Sequence, residues 1–132
     1  MITEYGKAVR KARIELGITM SQMARALKCS LTYLSAIENG KKQIPMADVK
    51  MTEAYFMRMG LYDDLNLKVL ADISNKCIYL SNLEPELQEL ISSIAHAELF
   101  YDDLIKLEKF VQETKTRPPR SVIDAKKIRT DR

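Results

Sequence analysis

Histidine, cysteine and glycine are scarce in these 132 residues, and tryptophan is absent. The single histidine, His96, and the two cysteines, Cys29 and Cys77, cannot supply four metal ligands at close spacing. Nor can two cysteines build a disulfide framework, so a reducing, cytoplasmic setting is expected. Four glycines, at Gly6, Gly17, Gly40 and Gly60, leave no phosphate-cradling loop. One histidine leaves little acid–base chemistry. No enzymatic activity, metal or cofactor is expected. No run of about 18 apolar residues exists to cross a membrane. The first residues, Met1 to Lys7, lack the apolar stretch of a secretory signal.

What remains is a chain with 46% hydrophobic and 30% charged residues, enough apolar material for a real core. The charge is unevenly placed. Residues 1–60 carry ten Lys/Arg against five Asp/Glu, residues 61–114 four against eleven, and residues 115–132 seven against two. An acidic middle between basic ends suits a polyanion-binding head and tail on a separate scaffold. The expected division is a polyanion-binding head at 1–60, a helical dimerisation region at 61–114 and a basic tail at 115–132.

Helical periodicity dominates, and the predicted class is all-α. Tyr5, Ala8, Val9, Ala12 and Leu16 place a first helix over about residues 4–16. Thr19-Met20-Ser21-Gln22 reads as a capping box, opening a short helix through Met23, Ala24 and Leu27. Ser30 caps another, with Leu34 and Ile37 facing inward and Gly40 ending it. Ala47 to Met59 forms a fourth helix burying Val49 and Phe56, with Ala54 as a further candidate. Asp63 to Asn75 is read as a fifth, and Cys77-Ile78-Tyr79-Leu80 as a short extended run. Pro85 starts a helix with acids at its positive end, and neither Gly nor Pro interrupts it to about Thr114. Cys29, Cys77 and the methionines Met46, Met51, Met57 and Met59 are read as packing residues, and His96 as a surface or interface residue. After Lys115 the sequence Thr-Arg-Pro-Pro-Arg breaks the pattern, and a short helix from Ser121 is a further candidate.

Two short helices joined by Lys28-Cys29-Ser30, with a helix on either side, describe a helix-turn-helix. Ala24 must be small where the second helix crosses the first, and Leu34 and Ile37 must be apolar to seat it. The residues Gly6-Lys-Ala-Val-Arg-Lys-Ala-Arg13, Gly17-Ile-Thr19, Met23-Ala-Arg-Ala-Leu27 and Ser30-Leu-Thr-Tyr-Leu-Ser-Ala-Ile-Glu-Asn-Gly-Lys41 resemble the phage-repressor-type (Xre) helix-turn-helix family. The most specific piece is Tyr33-Leu34-Ser35-x-Ile37-Glu38-Asn39-Gly40. The family often has Gln where Met20 stands and Gly where Lys28 stands. Met20 has no strong donor, so only its backbone amide is available to phosphate. A lysine at positive φ costs roughly 1 kcal/mol, which a nearby phosphate offsets.

That resemblance implies a function and a set of residues. Leu31, Thr32 and Ala36 would meet base edges in a major groove, with Ser35 assisting. This set lacks Arg, Asn and Gln, so thymine methyls and DNA shape are the expected targets. Thr19, Met20, Lys28, Tyr33, Lys41 and Lys42 are assigned to phosphates, and Gln43 should lie along the same backbone. Arg13 and Glu38 would form an ion pair inside the domain. The expected protein is a dimeric, sequence-specific transcriptional regulator, most simply a repressor on an inverted-repeat operator in double-stranded DNA. Its homodimer interface is placed on Leu87, Leu90, Ile94, Ala97, Tyr101 and Leu104 of one long helix, with the Asp63–Asn75 helix covering a second apolar row. The competing reading is a protein-interaction module on the same fold, antitoxin-like, gripping a protein partner without a specific operator.

Overall fold

The computed structural model describes residues 1–118. Its helices are α1 (Glu4–Leu16), α2 (Met20–Ala26), α3 (Leu31–Glu38), α4 (Met46–Arg58), α5 (Leu67–Asn75), α6 (Pro85–His96) and α7 (Tyr101–Thr114), with a 3₁₀ turn at Leu80–Asn82. No strand occurs among the described residues. The chain divides into two compact units, one ending at Tyr79 and one beginning at Leu80. The tail expected at 115–132 lies mostly outside the described residues, as does the candidate helix at Ser121.

Local chemistry sets the starts and stops of the first unit. The hydroxyls of Thr3, Thr19 and Ser30 accept the amides of Gly6, Gln22 and Tyr33, each three residues on. Gln22 also reaches back to the Thr19 amide at 2.8 Å, completing the capping box. Gly17 closes α1 in the left-handed region, at φ +67°. The inward stripes then form one core: Tyr5, Val9 and Ala12 of α1, Met23 and Ala24 of α2, Leu34 and Ile37 of α3, Val49, Tyr55 and Phe56 of α4.

Gly6 has a steric purpose beyond its cap. A Cβ there would overlap the carbonyl oxygen of Glu38, so α1 lies against the end of α3 only because residue 6 has no side chain. Replacement by alanine must push the two helices apart. Gly6→Ala is therefore expected to lower stability by about 1–3 kcal/mol, read as a shift in the urea midpoint.

α5 completes this unit. It packs against both α1 and α4 and buries Leu67 and Ala71. The Asn75 side chain mimics a backbone pair: its Oδ1 accepts the Ile44 amide at 2.8 Å and its Nδ2 donates to the Ile44 carbonyl at 3.0 Å. The first unit thus extends beyond residue 60, and α5 belongs to it. It also starts at Leu67 instead of Asp63. The Asp64 carboxylate takes the Asn66 amide at 2.9 Å and Asn66 turns left-handed at φ +58°, which ends the preceding turn.

Several other expectations are corrected. Met51, Met57 and Met59 lie on the exposed side of α4, where Tyr55 and Phe56 already fill the interior; Met46 is half-buried. Ala54 and Cys77 are exposed too, and Leu80, read as the end of an extended run, opens the 3₁₀ turn instead. The single long helix from Pro85 to Thr114 is two helices. Ala97 adopts an extended conformation, ψ 148°, and the Asp103 carboxylate accepts the Phe100 amide at 3.0 Å. With Asp102 and Asp103 in its first turn, α7 has a helix start of its own. Leu87, Leu90 and Ile94 stay on α6, Tyr101 and Leu104 on α7, and Ala97 sits in the break, so they do not form one continuous stripe.

The second unit has a different character. None of residues 80–118 is buried. Leu90, Phe100, Tyr101, Leu104, Ile105, Phe110 and Val111 are all exposed.

Candidate nucleic-acid interface

The geometry of the site begins at the turn between α2 and α3. Lys28 holds φ +57°, and the Cys29 amide donates to the Ala24 carbonyl at 3.0 Å. A lysine accepts this left-handed position, so the tight connection forms without glycine. Ser30 then caps α3, and Gly40, at φ +74°, carries the chain away after it. Eight helical residues remain between them.

Their inner face is fixed by packing and by one buried ion pair. Leu34 and Ile37 enter the core. Arg13 of α1 grips Glu38 in two bonds, Nη1 to Oε2 at 2.6 Å and Nη2 to Oε1 at 2.9 Å. Glu38 is fully buried and Arg13 is 6% exposed, so the pair is dry. Arg10 Nε approaches the same carboxylate at 3.5 Å from a more exposed position. The Thr3 amide and hydroxyl both donate to the Glu38 carbonyl. The end of α3 is thereby tied to the start and middle of α1.

The outer face of α3 is open. Leu31 is 46% exposed and Thr32 is exposed, while Ser35 and Ala36 are half-buried. With Lys41 they line one shallow depression. Residues matched to one face by helical spacing therefore share one surface. The Ser35 hydroxyl accepts from Asn39 Nδ2 at 3.2 Å and keeps its own proton free to donate. Lys28, Lys41 and Lys42 are exposed, Thr19 is exposed with its side chain spent on the cap, and Met20 is half-buried. Gln43 Oε1 takes the Tyr79 hydroxyl at 3.4 Å, which turns this side chain toward the end of the first unit.

Residues 6–61 match the family model of a helix-turn-helix domain. No curated protein and no solved structure matches the chain. The matched stretch runs from within α1 through α4, and α5 lies beyond it in the same unit.

Tyr33, which the resemblance assigns to a phosphate, directs its hydroxyl to α4. Its hydroxyl donates to Asp48 Oδ2 at 2.6 Å, and that bond, more than burial, pushes its pKa up to about 12. A proton held there is not offered to a phosphate. Sequence reasoning missed Asp48, although its place in the first turn of α4 placed it near a helix start. Cys29 is half-buried, and burial pushes its thiol pKa up, the opposite of an activated nucleophile. His96 is exposed. Among the described residues no group of His, Cys, Asp or Glu could hold a metal, and no helix is long and apolar enough to cross a membrane. The helix-turn-helix presents the open outer face of α3 flanked by the cations Lys28, Lys41 and Lys42.

Proposed function

We propose that this protein is a sequence-specific, DNA-binding transcriptional regulator of the Xre kind, acting in the cytoplasm as a homodimeric repressor without catalysis. The observation that carries the reading is α3: its inner face is locked by Leu34, Ile37 and Glu38 while Leu31, Thr32, Ser35 and Ala36 are left to a groove. Lys28, Lys41 and Lys42 supply sequence-independent attraction to phosphates. An inverted-repeat operator follows from a two-fold pair of heads reading successive major grooves about 34 Å apart.

Exposed apolar side chains support the homodimer. Leu87, Leu90 and Ile94 project from α6, and Tyr101 and Leu104 from α7, in a unit whose described residues include none that is buried. Such helices need a partner surface to be stable in water. A second copy supplies one of matching pattern.

The absence of Arg, Asn or Gln from the four outer residues of α3 favours one other reading, a protein-interaction module without a specific operator. Selection of duplexes from a random library, followed by titration at two salt concentrations, separates the two. Enrichment of one sequence supports the regulator, and equal weak binding to all sequences supports the module. With an enriched duplex in hand, Thr32→Ala is expected to change base preference at one position by about 1 kcal/mol or more. Lys41→Ala should instead weaken every duplex alike and lower the salt slope by roughly one contact. Unchanged preferences in a folded Thr32→Ala protein count against the assignment of α3.

A further inference from the structure

Asp48 belongs to α4, not to the helix-turn-helix surface, yet its carboxylate reaches the recognition helix. It takes the Tyr33 hydroxyl at 2.6 Å, a charge-assisted bond about twice as strong as a neutral one. With its proton committed, Tyr33 turns only lone pairs outward, and phosphate oxygens cannot donate to them. Over the same ring stands Lys42, its Nζ 5.5 Å from the centroid, within cation–π range. One carboxylate therefore orients a ring, and the ring orients a loop ammonium. Tyr33 is the third residue of α3, directly after Leu31 and Thr32. The bond from Tyr33 to Asp48 therefore anchors the first turn of α3, from which those two side chains leave, to α4 as well.

We propose that Asp48 is a positioning residue for DNA recognition: through Tyr33 it fixes the first turn of α3 and Lys42, while its negative charge lowers affinity for every duplex alike. The inference rests on the DNA-binding reading above. Non-specific affinity is almost wholly electrostatic, so a fixed anion near the contact surface lowers it for every sequence. Specific affinity depends on side-chain placement, which the Asp48–Tyr33 bond secures. Losing the carboxylate should weaken discrimination while strengthening attraction to any DNA.

The test uses the full chain, a duplex enriched by the wild type from a random library, and a scrambled duplex of the same composition. Asp48→Ala and Tyr33→Phe are each expected to lower the ratio of the two affinities about tenfold, the scale of one charge-assisted hydrogen bond. Asp48→Ala should also tighten the scrambled duplex severalfold. Asp48→Asn keeps an acceptor for the Tyr33 hydroxyl, so it should restore most of the ratio while tightening both duplexes. Thermal melts establish that each variant is folded. An unchanged ratio in folded Tyr33→Phe and Asp48→Ala proteins overturns the proposal, leaving Asp48 as structural only. If Asp48→Ala does not fold, Tyr33→Phe and Asp48→Asn decide the matter by the same criteria. If the wild type enriches no duplex, the DNA-binding reading itself falls, and the inference falls with it.

Discussion

Glu38→Ala is expected to remove a large share of the stability of the first unit. The substitution leaves the Arg13 guanidinium in a site where it is 6% exposed, with the Met23 sulfur 3.4 Å from Nη1 as its remaining side-chain acceptor. Breaking a buried pair from one side costs about 3–5 kcal/mol, because a charge is stranded away from water. A small domain is stabilised by only about 5–15 kcal/mol in total. Urea denaturation of the single and double variants measures the effect. Arg13→Met combined with Glu38→Leu should recover most of the loss, since the double replacement strands no charge. A single-variant cost below about 1 kcal/mol would mean that water reaches the pair.

The second large effect concerns assembly. Leu90 is 56% exposed and Ile94 37%, one helical turn apart on α6. Two aspartates there place charge where a second copy is proposed to pack, a burial that neither would survive unpaired. Leu90→Asp/Ile94→Asp should sediment as a monomer while retaining the thermal transition of the head, whose core lies in α1 to α5. Its affinity for a two-half-site duplex should fall by about a hundredfold or more, the loss of the second, intramolecular binding event. A wild type that is already monomeric at micromolar concentration would refute the dimer.

The head was legible because its signals are local and redundant. Thr19 with Gln22, Ser30 before Leu31, and Gly17 and Gly40 after their helices each fix an end through hydrogen bonds spanning three or four residues. Hydrophobic spacing then assigns Leu34 and Ile37 to the inside, which leaves the reading face by subtraction. What escaped the sequence was decided by contacts between distant segments. Asp48 meets Tyr33 across 15 residues, and Asn75 meets Ile44 across 31. Neither pairing leaves a periodic trace. The break at Ala97 had a usable signal in Phe100 followed by Asp102 and Asp103, but an unbroken apolar rhythm outweighed it. Methionine misled for another reason: its pliant side chain suits a core, yet Met51 and Met57 of α4 and Met59 just after it are exposed.

The closure of the head by α5 bears on the order in which the protein can fold as it is made. The first helix of the unit packs against the last: the Tyr5 amide meets the Ser74 hydroxyl at 3.3 Å, 69 positions along the chain. Closing so long a loop has an entropic cost that local turns do not share, and it slows folding relative to a unit of neighbouring hairpins. During synthesis, α1 to α4 emerge with the Tyr5 and Val9 flank still lacking the α5 helix that packs on α1. The capped helices of the recognition motif can form early, each on its own hydrogen bonds. The packing of α1 and α4 is completed only when residues 67–75 arrive, late in the synthesis of the unit.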